Sequence, residues 1–107
     1  MKNKQKVIFI DIDETICFNL NTDVDSPRDY SQAVPNRENI TKANKLYDEG
    51  NKIVYWTARG SLTGEDWTET TTSQLAEWEV KYHELRLGKP HYDIFIDDKA
   101  LNTEDWK

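Results

Sequence analysis

Cysteine, glycine and proline are scarce in this sequence, whose 107 residues include one cysteine, four glycines and three prolines. The lone cysteine, Cys17, excludes an intrachain disulfide and indicates a reducing compartment. The sequence also lacks an apolar run of membrane-spanning length and the apolar core of a signal peptide. We therefore expect a cytoplasmic protein with no membrane partner, in which Cys17 is a small apolar filler.

Positive charge is also in deficit, with 14 Lys and Arg residues against 20 Asp and Glu and a net charge of −6. This balance argues against nucleic acid as a partner. Hydrophobic residues make up only 36% of the chain, whereas 11% of residues are aromatic. We expect one folded domain over residues 1–107, with a core small enough to favour a homo-oligomer.

Three short apolar runs predict β-strands, at residues 6–11, 52–56 and 92–96. Helical spacing of apolar residues predicts a helix over 37–49 that ends at Gly50. A second helix is predicted over 66–86, with Asp66 and Glu69 as a capping box.

The alternation of strand and helix predicts an α/β fold with a parallel sheet. All three strands have continuous apolar sequences, which is typical of strands covered on both faces. We therefore expect a minimal Rossmann-like, three-layer α/β/α domain. The long loop over 18–35 would lie beside the site, and its Arg28 and Tyr30 are candidate substrate contacts by position.

Polar clusters follow each predicted strand: Asp11 to Thr15, Thr57 to Gly60, and the pair Asp97 and Asp98. The carboxyl ends of parallel strands meet at one sheet edge, where ligands bind. Four carboxylates at this edge, from Asp11, Asp13 and the later pair, would repel one another unless a cation were bound. Oxygen ligands of this kind predict a Mg²⁺ site.

Four segments together resemble the motifs of the haloacid dehalogenase-like phosphatase superfamily: Val7 to Thr15, Ile53 to Thr57, Lys89, and Ile94 to Asp98. They occur in the family's order and cover nearly the whole chain. Three segments further resemble small phosphatases that are encoded with the genes of bacterial capsule polysaccharide biosynthesis: Asp-Ile-Asp-Glu-Thr-Ile-Cys, Trp-Thr-Ala-Arg-Gly and Ile-Asp-Asp-Lys-Ala. The resemblance implies a Mg²⁺-dependent phosphatase, without a cap domain, acting on a small phosphorylated metabolite that is sugar-linked.

The resemblance also implies roles for single residues. Asp11 would be the nucleophile that forms an aspartyl-phosphate, and Asp13 the general acid and then base. Thr57 and Lys89 would bind the transferring phosphoryl group. Glu14 departs from the family, which commonly has glycine after the second aspartate.

For the metal, the resemblance implies that Asp11 and Asp13 share Mg²⁺ with Asp97 and Asp98, the last directly or through water. Each of these residues, taken singly, also has a purely structural interpretation. Aspartates are common at strand ends, Thr57 ends a strand, and Lys89 suits a helix terminus.

Three other functions remain open from the residues alone. One is a polynucleotide 3′-phosphatase, which the acidic balance disfavours. Another is a sugar-nucleotide glycosyltransferase with an Asp-x-Asp metal site, which leaves the second aspartate pair unexplained. The third is a catalytically silent phosphate-binding module of the same fold. Arg59 fits a substrate contact and a surface ion pair equally well.

Overall fold

The computed structural model describes residues 5–20 and 29–107. Within these ranges the protein contains a three-stranded parallel sheet, a small antiparallel sheet and two α-helices. The elements in chain order are β1 (Val7–Ile10), β2 (Cys17–Phe18), a 3-10 helix (Tyr30–Gln32), β3 (Val34–Pro35), α1 (Arg37–Asp48), β4 (Lys52–Trp56), α2 (Thr68–Glu77), β5 (Glu84–Arg86) and a second 3-10 helix (Thr103–Asp105).

The parallel sheet has the strand order β1, β4, β5, so that β4 is its central strand. Ile10 pairs with Tyr55 of β4, and Tyr55 pairs with Leu85 of β5. Because all three strands point the same way, their carboxyl ends meet at one edge, as predicted. The α/β class and the parallel sheet are thereby confirmed.

Both helices pack on the same face of this sheet. Ile40 of α1 and Leu75 of α2 belong to one buried cluster with Ile10, Ile53 and Tyr55 of the strands. Alternate strand residues point to opposite faces, which places these three strand side chains on the same side. The expected three-layer arrangement is therefore wrong for the described residues, where the helices form a single layer.

The opposite face of the sheet carries side chains that cover one another. The ring of Phe9 meets that of Trp56 edge-on at 5.9 Å, and the guanidinium of Arg86 lies 5.2 Å from the Phe9 ring centroid. Val54, which pairs with Phe9, is fully buried beside this group. Val7 and Phe9 themselves remain 59% and 48% exposed.

The third strand of the sheet is β5 and not the predicted run at 92–96, which forms no strand. The apolar signal failed because two of the three β5 residues, Glu84 and Arg86, are charged. Both lie on the open face of the sheet, where Glu84 forms a 2.8 Å salt bridge with Lys52 of β4. A strand with one uncovered face does not need a continuous apolar sequence.

The helix α2 is much shorter than predicted and begins without the predicted capping box. Its N-cap is Trp67, which makes no side-chain cap bond, while Asp66 accepts hydrogen bonds from the backbone N–H and hydroxyl of Thr68. Its last residue is Glu77, nine residues before the predicted end. Trp78 packs in the core directly after the helix.

The two helices end in the same way with different residues. After α1, Gly50 has a φ of +96°, whereas after α2 the corresponding residue is Glu79, with a φ of +58°. The N–H of Val80 donates to the carbonyl of Leu75, and that of Glu79 to Ala76, which is the pattern of a Schellman cap. The end of α1 was predicted because glycine signals this conformation, and the end of α2 was missed because glutamate does not.

Replacing Glu79 with glycine should stabilise the protein. A left-handed backbone costs a residue with a Cβ about 1 kcal/mol, a cost that glycine does not have. We expect Glu79→Gly to be about 1 kcal/mol more stable to urea unfolding than Glu79→Ala, which loses the same carboxylate and keeps the strain. Equal stabilities of the two variants would show that this backbone position is not strained.

The C-terminal residues pack along α1. Asn39 donates through Nδ2 to the carbonyl of Thr15 and to the hydroxyl of Thr103. Lys42 donates to the carbonyl of Trp106 at 2.7 Å, with its ammonium 5.7 Å from the indole ring centroid. These contacts attach the end of the chain to the start of the helix.

Among the described residues, no helix has the length and apolar character needed to cross a lipid bilayer.

Candidate functional site

Asp11 and Lys89 form an ion pair at the carboxyl edge of the parallel sheet. Asp11 follows the last residue of β1, and the ammonium of Lys89 lies 3.5 Å from its Oδ1. The backbone N–H of Lys89 donates to the carbonyl of Thr57 at 3.0 Å, and its carbonyl accepts from the hydroxyl of Ser61 at 2.7 Å. Lys89 is therefore held beside the end of β4 by its own backbone.

Burial raises the pKa of Asp11 above the ordinary range for aspartate. The ammonium of Lys89 and the backbone N–H of Ile12 act in the opposite direction by stabilising the charged form, while the nearby charge of Asp13 raises the pKa further. Desolvation of the carboxylate outweighs these contacts. Asp11 is therefore a partly desolvated carboxylate that lies beside a cation.

Asp13 is held by a buried arginine. Arg59 donates from Nε to Asp13 Oδ2 at 3.0 Å and from Nη2 to Oδ1 at 2.9 Å. Arg59 is only 2% exposed, so this forked pair is largely shielded from water. The interpretation of Arg59 as a surface ion pair is therefore wrong, and its one carboxylate partner is a candidate catalytic residue.

The other contacts of Arg59 join the site to α2. Its Nη1 donates to the hydroxyl of Thr71 at 3.0 Å and to Oε1 of Gln74 at 2.6 Å. The ring of Tyr30 lies 4.8 Å from its guanidinium carbon. Arg59, Thr71 and Gln74 were not identified as a network from the sequence, although Arg59 lies two residues after the end of the predicted strand motif.

A tight turn after β1 presents the two aspartates. The N–H groups of Thr15 and Ile16 both donate to the carbonyl of Ile12, and that of Glu14 donates to the carbonyl of Cys17. Glu14 has a φ of +62°, a conformation that favours glycine. Its carboxylate accepts from the backbone N–H of Asn19 at 3.2 Å, a contact that glycine could not make.

Cys17 is fully buried beneath this turn, and burial raises the pKa of its thiol to about 12. The thiol is therefore protonated at neutral pH and does not act as a nucleophile. The interpretation of Cys17 as an apolar filler agrees with this environment.

Thr57 directly follows β4 and has no exposed surface. Its hydroxyl oxygen accepts from the backbone N–H of Arg59 at 3.1 Å, which leaves the hydroxyl hydrogen to donate. Gly60 follows with a φ of +82°, and a Cβ at this position would overlap the carbonyl oxygen of Glu65. The loop after β4 therefore requires glycine at position 60.

The structure does not bring Asp97 and Asp98 to this edge of the sheet. They follow the exposed run at 92–96, and the backbone N–H of Lys99 lowers the pKa of Asp97 by donating to its carboxylate. In residues 5–20 and 29–107, no group of three or more His, Cys, Asp and Glu side chains is arranged to hold a metal ion. The structure thus assembles Asp11, Asp13, Thr57 and Lys89 without the second aspartate pair.

Two surface cavities lie close to the candidate site residues. A cavity of about 230 Å³ lies alongside Arg59, Gly60 and Ser61, and a larger one of about 620 Å³ lies between the start of α1 and the C-terminal residues. Asp11 lines neither cavity. Of the two predicted loop contacts, Tyr30 lies against Arg59, whereas Arg28 falls outside the described residues.

The fold and this edge of the sheet define a small α/β protein with a Rossmann-like parallel sheet. It is similar to a crystal structure of an MCSG target from Vibrio cholerae, with a TM-score of 0.79 and 25% sequence identity over 94% of this chain and 85% of that one. No family model and no curated protein matches the sequence. The structural likeness supports the fold and carries no statement about activity.

Proposed function

We propose that this protein is a phosphatase of the haloacid dehalogenase type, which hydrolyses a phosphate monoester through an aspartyl-phosphate. The observation that supports this most directly is the 3.5 Å contact between Lys89 Nζ and Asp11 Oδ1 beside the end of β4. The carboxylate of Asp11 would provide the attacking oxygen, and the positive charge of Lys89 would attract the negatively charged phosphate.

In the proposed reaction, an oxygen of Asp11 attacks phosphorus as the bond from phosphorus to the ester oxygen breaks. The leaving alcohol takes a proton, and water then hydrolyses the acyl phosphate to release phosphate and restore the carboxylate. Lys89 would contact the transferring phosphoryl oxygens, and so would the hydroxyl of Thr57 after a local rearrangement that exposes it, because Thr57 is fully buried in this structure. Lys89 also reduces the repulsion between the Asp11 carboxylate and the incoming dianion.

Asp13 would give the proton to the leaving alcohol and later accept one from water. Its Oδ1 accepts from Arg59 Nη2 and from Asn19 Nδ2, both at 2.9 Å, whereas Oδ2 accepts from Arg59 Nε at 3.0 Å. Since a carboxylate oxygen has two lone pairs, Oδ2 retains one for a proton. By binding both oxygens, Arg59 would hold the Asp13 carboxyl group in one orientation toward the leaving alcohol.

Asp13→Asn tests this role, because it keeps the side-chain shape and removes the proton donor. We expect turnover of alkyl phosphates to fall about 10²- to 10⁴-fold, and that of p-nitrophenyl phosphate far less, since nitrophenolate leaves without protonation. Steady-state rates on both substrates provide the measurement. Asp11→Asn is the matched control, with equal losses on both, and equal losses for Asp13→Asn would limit Asp13 to a structural role.

Magnesium is the cofactor that we propose for this reaction, with Asp11, Asp13, Asp97 and Asp98 as its ligands. Within the described residues of one chain these four side chains do not come together to hold a metal ion, because only Asp11 and Asp13 lie at the sheet edge. Mg²⁺ bound by carboxylates would neutralise charge on the transferring phosphoryl group.

For the substrate, we propose a small sugar-linked phosphate of the kind used in capsule polysaccharide biosynthesis. The test is a phosphate-release screen of sugar phosphates, nucleotides and 3′-phosphorylated oligonucleotides, with Mg²⁺ and with EDTA. We expect Mg²⁺-dependent release from a sugar phosphate. Preference for the oligonucleotides would indicate a polynucleotide 3′-phosphatase, and no release from any substrate would indicate a silent phosphate-binding module.

A further inference from the structure

The outer edge of β1 has no strand beside it among the described residues. The order of the sheet is β1, β4, β5, so β1 is hydrogen-bonded to β4 on one side only. An edge strand presents unpaired N–H and C=O groups that readily pair with another strand. Val7 and Phe9, on the open face of this strand, are 59% and 48% exposed.

A second feature of the same chain is an apolar segment with no partner strand. Tyr92 to Ile96 has the composition of a buried strand, yet Ile94 is 77% and Ile96 93% exposed. Runs of β-branched and aromatic residues are favoured in strands because they pack against neighbouring side chains. Exposure of such a run, in a chain whose sheet also has an open edge, is unusual for a stable monomer.

We propose that residues 92–98 of one copy of this chain add as a parallel strand to the outer edge of β1 in a second copy. The exchange would be reciprocal in a twofold dimer, with each copy giving one strand and receiving one. The open edge and the exposed apolar run are the observations that support this pairing, and the reach of the chain selects a second copy as the partner.

The segment cannot reach the edge of its own β1 in a parallel arrangement. Lys89 is held beside Thr57, level with the carboxyl end of the sheet. If Asp97 lies level with Asp11, Tyr92 must lie level with Lys6, about 17 Å back along the strands and about 14 Å across the three strand spacings from the β5 side of β4 to the outer edge of β1. The three residue steps from Lys89 to Tyr92 span at most about 11 Å.

The register that aligns Asp97 with Asp11 also buries the right side chains. In this register Ile94 and Ile96 lie beside Ile8 and Ile10, whose side chains point to the helix-covered face of the sheet. Phe95 lies beside Phe9 on the open face. A shift of one residue would instead send both isoleucines to the open face.

The exchanged strand would carry the partner's Asp97 and Asp98 to the carboxylates of Asp11 and Asp13. This consequence rests on the proposed function, whereas the pairing of the strands does not. Each site would then contain a nucleophile from one copy and a metal-binding pair from the other. Because four carboxylates repel without a cation, Mg²⁺ should favour the dimer.

The pairing is tested by a disulfide between neighbouring positions, using the double variant Phe9→Cys/Phe95→Cys. In the proposed register the two Cα atoms are close enough to be bridged, and Cys17 is buried away from them. After mild oxidation we expect a covalent dimer on a non-reducing gel. An intrachain bridge, or no bridge, would overturn the proposal, and Leu62→Cys/Phe95→Cys is the control because Leu62 is 74% exposed outside the interface.

Light scattering supplies a second readout that does not depend on catalysis. We expect a dimer for the wild-type protein with Mg²⁺, a monomer for Ile96→Asp, and an unchanged dimer for Leu62→Asp. A monomeric wild-type protein at assay concentration with Mg²⁺ would contradict the exchange.

The shared site is tested by mixing two inactive variants, Asp11→Asn and the double variant Asp97→Asn/Asp98→Asn. A mixed dimer has one complete site, so random reassortment should restore about a quarter of wild-type turnover. No recovery, in a mixture shown to contain mixed dimers, would mean that the site is not shared. If the wild-type protein hydrolyses no substrate, the proposed function fails, and the disulfide and light-scattering results still decide the pairing.

Discussion

Asp11→Asn should abolish phosphate release while the fold persists. The asparagine amide has nearly the shape of the carboxylate and no nucleophilic oxygen anion, so we expect turnover to fall at least about 10³-fold. Steady-state release of inorganic phosphate measures this loss. Wild-type activity in the variant would rule out Asp11 as the nucleophile.

The same variant should be more stable than the wild-type protein at neutral pH. Because burial raises the pKa of Asp11, the folded state binds a proton more tightly than the unfolded state does. The ionised side chain therefore destabilises the fold increasingly as pH rises from the ordinary aspartate range, about pH 4, through the raised value. The gain from Asp11→Asn should appear above this range and vanish below it, as urea unfolding at pH 3 and pH 7 will show.

Arg59→Met should be among the most destabilising single substitutions in the protein. It leaves the carboxylate of Asp13 without its buried partner and removes the donors to Thr71 and Gln74. Breaking a buried ion pair from one side typically costs about 3–5 kcal/mol. Since a small domain has about 5–15 kcal/mol in total, we expect a large shift of the urea midpoint and loss of activity with the fold.

Two comparisons make this prediction specific. Arg86→Met removes an exposed arginine that pairs with Glu84 and lies over the ring of Phe9; since methionine keeps apolar contact with that ring, the change should cost less than about 1 kcal/mol. Adding Asp13→Asn to Arg59→Met should recover part of the stability, because the unpaired charge is removed. A small effect of Arg59→Met, or additive losses in the double variant, would show that the pair is not buried in solution.

The sequence predicted the elements whose local signals agree with their environment. β1, α1 and β4 lie within one or two residues of their expected bounds, because apolar runs and Gly50 marked them. The contact of Lys89 with Asp11 agrees with the role that the family resemblance implied for Lys89, whereas the common edge of parallel strands had predicted Asp97 and Asp98 there instead.

The errors came from signals that depend on tertiary structure. Glu79 ends α2 in a conformation that glycine would have indicated, so the periodicity of Trp78 and Tyr82 was read as further helix. β5 was missed because one face of it is uncovered. Arg59 was assigned no partner, since its contacts with Asp13 and Gln74 join positions far apart in the chain.

The uncovered face of the sheet explains how so short a chain can build this fold. In a three-layer domain, a second set of helices would shield the central strand from water, at a length of about 11–12 residues for each helix. Here the side chains of Phe9, Trp56 and Arg86 pack against one another over their own sheet, and Val54 beside them is fully buried. These large side chains thus take the place of a second layer of helices, which reduces the number of residues needed to enclose a parallel sheet.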